Sequence, residues 1–441
     1  MLRQAHVGNV EDLQRVMESA PPDSAFAYGI DRPSQQVAHT TVRARTLLTL
    51  PRAQELELIY GFQFNHRQEY DNHGPLRFRN EAAFNLKLFS NSLDVRWTHA
   101  RVRGWRGTVG TSIAAQGNQT LGKAFLIPGY DLSQGALYAQ EELAVGRLSV
   151  VTGLRGDAIS QTTIRFADAG IQSPAGTRRW QNVAGSLGAA YLLRDGLDVS
   201  LRMARAWRPP TVNERYAQGV HHGTAQYELG DASLGRERSH GVESAVRARG
   251  QGWQFEGAAY QNAIDDFIYL RPTAPVQTIR GAFPGYRYAQ TLARLRGAEF
   301  SGQWSPVGAL ELSATGTLVR GTDRLDGGPL FDMPADRARF SARYRQRGTR
   351  AGAWFVGAGT TLVRRQDGVP AGAVYSLPTA GYSLLQFDSG TRGFMLFGRA
   401  ADFSVSVTNA LDVRYRDYLS RYRLFVNDSG RDVVLRLTLP L

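Results

Sequence analysis

The sequence predicts an all-β chain folded as a large antiparallel transmembrane β-barrel. Three observations predict it. The first is the alternation at the C-terminal end, where Val433, Leu435, Leu437, Leu439 and Leu441 share one side and Val434, Arg436 and Thr438 the other. A period of two with one apolar side marks a β-strand. Such a strand left as an open edge invites aggregation, whereas a barrel pairs its edges. The second is composition: the chain is 42% hydrophobic with a mean hydropathy of −0.32, and no window approaches the ~18 consecutive apolar residues of a membrane helix. Barrel strands turn only alternate residues to lipid and need no such run. The third is the regular alternation of short turns with long connections, as outer-membrane barrels require.

Residues 1–36 hold one helix-like patch, 10–17, and then a stretch rich in Pro, Ser and Asp. They lack the basic–apolar–small order of a signal peptide. This segment is expected to be the remnant of an external loop, with the barrel occupying 37–441. Short turns are expected at 51–54, 103–105, 145–146, 194–196, 250–252, 305–308, 348–351 and 398–402. Most contain Gly, Pro or Asp, as tight hairpins need. Long connections are expected at 71–80, 117–133, 158–180, 208–234, 271–286, 324–333, 365–378 and 412–428. Between them stand about 17 strands; bacterial barrels have even counts, so strands N-terminal to this chain are expected.

The strands alternate along their length. Leu56, Leu58, Tyr60, Phe62 and Phe64 oppose Glu57, Gly61, Gln63 and Asn65. Leu93, Val95 and Trp97 oppose Asp94, Arg96 and Thr98; Leu197, Val199, Leu201 and Met203 oppose Asp198, Ser200 and Arg202. Periodicity alone does not say whether the apolar side meets a core or a bilayer. Strand length favours the bilayer, because runs such as 252–270 and 286–305 exceed the ~5–6 residues usual in soluble sheets. Tyr60, Phe64, Trp97, Trp105 and Trp207 fit aromatic girdles at the bilayer interfaces.

The net charge of +13 is carried by arginine, since Lys87 and Lys123 are the only lysines among 52 basic residues. The arginines are scattered rather than gathered into a patch, which argues against nucleic-acid binding. They read either as codon bias with solvated barrel positions or, where they face inward, as a basic lumen. With no cysteine, the chain has neither a disulfide scaffold nor cysteine-based metal sites. Asp265 and Asp266 lack the surroundings of an acid–base pair. No catalytic triad, P-loop or dinucleotide fingerprint is present, and no enzyme is expected.

Several segments carry a family resemblance: YGFQFNHRQEYD (60–71), AFLIPGYD (124–131), residues 204–243, IRGAFPGYRYAQT (279–291) and the ending NALDVRYRDYLSRYRLF. The long 204–243 block is the most specific. There, Arg and aromatic residues precede Pro-Pro, and a later strand opens on Glu237, Ser239, Gly241 and Glu243. The chain resembles the C-terminal barrel of a TonB-dependent outer-membrane receptor. The resemblance implies an incomplete barrel, of the roughly 22 strands of the plugged size class. The family's N-terminal plug and TonB-box have no counterpart in the sequence. It further implies an outer-membrane location in a Gram-negative bacterium and energised uptake of a scarce nutrient: a ferric siderophore, haem, cobalamin or a metal ion. Implied partners are outer-membrane lipid and lipopolysaccharide, the barrel assembly machinery, and TonB–ExbB–ExbD acting through the plug. No resident cofactor is implied, only a transported metal ion or chelate. A passive, porin-like channel is the alternative.

The candidate substrate-binding residues lie in one long connection: His221, His222, Glu228 and Asp231. Imidazoles with carboxylates suit transition metals, and His221 and His222 are the candidate ligands. His66 and His73 flank Glu69 and Asp71 near another expected loop. Loops on a rigid scaffold are where binding residues concentrate.

Overall fold

Long strands dominate the chain. The computed structural model describes residues 8–19, 34–70, 81–122, 126–164, 166–168, 171–173, 175–278, 280–349, 352–372 and 374–439. Helix α1 (Val10–Glu18) is capped by the Asn9 side chain, which accepts from Asp12 N at 2.8 Å. The strands that follow are β1 (Ser34–Leu50), β2 (Gln54–Tyr70), β3 (Phe84–Thr98), β4 (Trp105–Thr120), β5 (Tyr130–Val145) and β6 (Leu148–Thr163). A small hairpin, β7 (Phe166–Asp168) and β8 (Ile171–Ser173), precedes β9 (Gly176–Arg194) and β10 (Leu197–Arg208). Helix α2 (Val212–Tyr216), β11 (Gln218–His221) and β12 (Gln226–Leu229) follow. The remaining strands are β13 (Glu237–Gly250), β14 (Trp253–Thr278), β15 (Gly281–Val307), β16 (Leu310–Asp323), β17 (Arg337–Thr349), β18 (Gly352–Val363), β19 (Tyr382–Leu396), β20 (Arg399–Thr408) and β21 (Asp432–Thr438).

Nineteen strands belong to one sheet, and β7 with β8 forms a second. The 17 long strands are those expected from alternation; β7, β8, β11 and β12 are short strands inside connections. Two compact units share the residues. One comprises Met1–Ala189, Arg202–Gly241 and Ala263–Ala293, the other Ala190–Leu201, Val242–Asn262 and Arg294–Leu441. In the first, β1 to β6 pair in antiparallel succession. In the second, β16 to β21 do the same.

The expected connection at 271–286 is a correction: β14 and β15 run through it, leaving only 279–280 between them. Its prolines and glycines read as punctuation, yet Ala282 and Phe283 are fully buried and the strand is held by tertiary pairing. The expected connection at 158–180 is likewise shortened, since β6 extends to Thr163 and β7–β8 occupies part of the rest. The turn placed at 398–402 is tighter, because β20 begins at Arg399.

Register sorts the two sides of the sheet. Across β3–β6, one row reads Trp97, Val109, Ala139 and Leu154. Trp97, Val109 and Leu154 in this row are exposed, as is Leu137 at 70%. A soluble sheet would bury that apolar side; exposed over many strands, it matches a surface solvated by lipid. In β21, Val433, Leu435 and Leu437 are exposed opposite Val407, Val405 and Phe403.

The other side carries the charges. Arg96, Gly110, Tyr138 and Arg155 are consecutive partners across β3–β6. Tyr138 lies over Gly110, where a Cβ would come 2.5 Å from its ring. The absence of a side chain there lets the Tyr138 hydroxyl reach Asp94 Oδ1 at 2.9 Å. Arg155 lies 5.6 Å over the Tyr138 ring and donates to Asp157 at 2.7 Å and Ser112 at 3.1 Å. Arg45 and Arg96 both pair with Glu57. In the second unit Arg343 pairs with Asp388 at 2.5 Å and Arg345 with Glu311 at 3.2 Å. In each unit, therefore, several arginines are paired with carboxylates across strands.

Candidate functional site

The connection between β10 and β13 folds from its own sequence outward. Pro209 and Pro210 end β10, because proline lacks the N–H a ladder needs. Thr211 then caps α2: its Oγ1 accepts from Glu214 N at 3.2 Å, and Glu214 Oε2 accepts from Thr211 N at 2.6 Å. This reciprocal capping box fixes where the helix starts. After α2 the chain doubles back as β11 and β12, with His221 opposite Gln226 and Gly219 opposite Glu228. β12 pairs in parallel with β15, Tyr227 facing Gly285 and Glu228 facing Tyr286. Gly285 at the same time lets β14 lie close, since a Cβ there would stand 2.3 Å from Ala274 O of that strand.

Glu228 is the polar centre of this connection and is only 5% exposed. Its Oε1 lies 2.8 Å from His221 Nδ1 and accepts from Gln226 Nε2 at 2.9 Å. Its Oε2 accepts from the Tyr288 hydroxyl at 3.2 Å. Burial alone would raise the Glu228 carboxyl; hydrogen bonds from His221, Gln226 and Tyr288 outweigh it and hold the group below its ordinary range. Tyr288 also packs against a small core of Phe84, Leu86, Leu126 and Ala217.

The structure brings His221 and Glu228 together. Asp231 is engaged elsewhere: its Oδ1 accepts from Ser233 N at 2.8 Å and Ser233 Oγ at 2.5 Å, bonds that lower its carboxyl. The side chain of His222 lies outside the described residues, as do His73 and Asp71. His66 Nε2 bonds Asn85 Oδ1 at 3.0 Å, and Glu69 pairs with Arg67. Among the described residues, no group of three or more His, Cys, Asp or Glu could hold a metal ion.

The motif residues divide in role. Glu237 is buried, accepts from Ile268 N at 2.9 Å and pairs with Arg208, which also reaches Glu214 at 2.9 Å. It thereby ties the start of β13 to β14, to the end of β10 and to α2. Ser239 and Gly241 follow along β13, and Glu243 is exposed. Gln290 reinforces the join through bonds with Gly235 N at 2.9 Å, Gly235 O at 3.0 Å and Asp266 O at 2.7 Å. Sequence reasoning passed over Gln226, Tyr288 and Gln290. The i, i+2 spacing of Gln226 and Glu228 was a usable signal; the contact of Tyr288 from 60 residues away was not.

A family model described as "TonB dependent receptor-like, beta-barrel" matches residues 22–416. Among solved structures, the copper transporter OprC is similar over 91% of this chain and 66% of its own, at 15% identity and a TM-score of 0.73. The FrpB iron transporter from Neisseria meningitidis is similar over 92% and 63%, at 13% identity and a TM-score of 0.69. The ferric-catecholate import receptor Fiu from E. coli K12 is similar over 98% and 68%, at 14% identity and a TM-score of 0.70. At these identities the likeness is one of fold, and the chain spans 63–68% of the length of the three.

Proposed function

We propose that this chain, which belongs to the TonB-dependent receptor β-barrel family, serves energised uptake of a metal ion or metal chelate. Family members are outer-membrane transporters and receptors of Gram-negative bacteria rather than enzymes, and this chain is one of them. The observation that carries the cargo reading is the buried Glu228 with His221 and Tyr288, assembled in a long connection of an otherwise regular sheet. Such a connection on a rigid scaffold can recognise ligand while the strands hold position. Copper, iron and ferric-chelate transporters among the similar structures agree with a metal-bearing cargo. TonB–ExbB–ExbD would supply the energy, outer-membrane lipid and lipopolysaccharide would surround the apolar side, and the barrel assembly machinery would insert it. The test is cellular metal content, measured by mass spectrometry under copper or iron limitation. A strain lacking the gene should accumulate less of one metal and recover it on complementation; equal contents of both would refute the cargo reading.

A further inference from the structure

His221 closes β11 with one imidazole nitrogen pinned and the other open. Nδ1 stands 2.8 Å from Glu228 Oε1. Glu228 meets donors on both oxygens, Gln226 Nε2 on Oε1 and the Tyr288 hydroxyl on Oε2. That is the arrangement of an ionised carboxylate, which only accepts. The proton of the short contact therefore sits on Nδ1, and Nε2 keeps its lone pair. Nε2 has no hydrogen bond among the described residues. The imidazole is 42% exposed while the carboxylate behind it is 6% exposed, so the open edge is that of Nε2. Gly223 lies beside this edge: a Cβ there would come 3.6 Å from Nε2, and a longer side chain would cover it.

The turn that carries Gly223 is held in place. Thr224 Oγ1 donates to His221 O at 3.3 Å. Ala225 takes a left-handed φ of 52° while only 1% exposed, a conformation that persists because the surrounding pairing imposes it. No other histidine of the described residues combines a carboxylate on one nitrogen with an open second nitrogen. His99 spends both, Nδ1 on Ala100 O at 2.6 Å and Nε2 on Glu141 at 3.0 Å. His66 Nε2 is bonded to Asn85, and His39 meets the amide of Asn65. A carboxylate on one imidazole nitrogen fixes the ring and strengthens the other nitrogen as a metal ligand. Glu228 is itself spent on its donors, so the site offers one ligand atom rather than a cage. One nitrogen suits a metal that a chelator already holds.

We propose that His221 Nε2 enters the coordination sphere of a chelated transition-metal ion, displacing water from one exchangeable position, while Glu228 positions the ring. The imidazole gives its lone pair, and no proton or electron is transferred. The proposal rests on the receptor reading and narrows its cargo to chelates with an open position, as distinct from bare ions and from chelates that fill every position. The probe is copper(II) iminodiacetate, a tridentate chelate with water in the remaining planar position, titrated into the detergent-solubilised protein. Copper(II)–EDTA, in which the chelator fills the coordination sphere, is the comparison. The wild type should bind the first and not the second, and the copper EPR spectrum should gain coupling to an imidazole nitrogen. His221→Ala should bind at least tenfold more weakly and lose that coupling. Gly223→Leu, which keeps the imidazole but covers it, should do the same, whereas His222→Ala should keep both. Glu228→Gln should weaken binding roughly tenfold with the coupling retained, as for a lost partner outside the coordination sphere. Nitrogen-15 NMR of the ligand-free wild type should place the neutral ring's proton on Nδ1. No binding by the wild type, unchanged binding by His221→Ala, Gly223→Leu or Glu228→Gln, an equal loss in His222→Ala, equal binding of copper(II)–EDTA, or a proton on Nε2 would overturn the proposal. These readings use purified protein, so their failure would leave cellular uptake of a saturated chelate standing.

Discussion

His221 Nδ1 stands 2.8 Å from Glu228 Oε1, across a hairpin whose two strands are four residues each. The carboxylate is buried and the imidazole half exposed, so the pair links the interior of the connection to its surface.

Glu228→Ala should loosen the connection. It leaves Gln226 and Tyr288 without their acceptor, at a cost of about 1–3 kcal/mol. Amide exchange across 217–230 should accelerate in the variant while β3–β6 stay protected. The same bonds predict a pH dependence. The folded carboxyl lies below its ordinary range, so the unfolded segment binds protons more readily. The stabilisation is complete above the unfolded value of about 4.3 and is lost as pH falls through the lowered folded value. Exchange protection here should hold from pH 7 to 5 and decline in more acidic solution. Decline beginning above pH 6 would contradict the lowered carboxyl.

Glu237→Gln should weaken the join between α2, β10 and β14. The carboxylate meets Ile268 N and Arg208. Because Arg208 is 41% exposed, the loss should be roughly 1–3 kcal/mol, below that for a fully buried pair. Denaturant unfolding would read it, and Glu243→Gln, at an exposed residue of the same motif, should change little.

Leu435 is the central residue of β21 and is 68% exposed on the apolar side. Leu435→Arg should destabilise the protein in lipid vesicles by about 2–4 kcal/mol if it lies at the midplane. Normal insertion and stability in the variant would show that this side does not meet lipid.

The His221→Ala/His222→Ala pair tests capture of a bare metal. Calorimetry with zinc, nickel or copper above pH ~6.5, where imidazole is mostly neutral, should show sharply weaker binding if a metal ion is the cargo. Unchanged binding of all three would remove the bare-metal reading and leave chelates.

How much of this was legible depended on sequence distance. Seventeen long strands could be read because alternation is local: Leu93, Val95 and Trp97 announce their side within five residues. The run from Arg271 to Tyr286 misled because Pro272, Pro275, Pro284 and Gly285 read as breakers, whereas pairing with β12 and burial of Phe283 keep it extended. His221 and Glu228 were found by residue type. Tyr288 and the bond from Gln290 to Gly235 join distant segments and left no local pattern.

The most direct test of the receptor account is the initial rate of metal uptake in cells with and without a functional TonB. Copper and iron would be offered free and as carboxylate chelates, and uptake due to this gene obtained by subtracting its deletion strain. The account predicts that the gene-dependent rate for one cargo disappears without TonB. A rate that persists unchanged and rises linearly with external concentration would identify a passive channel instead.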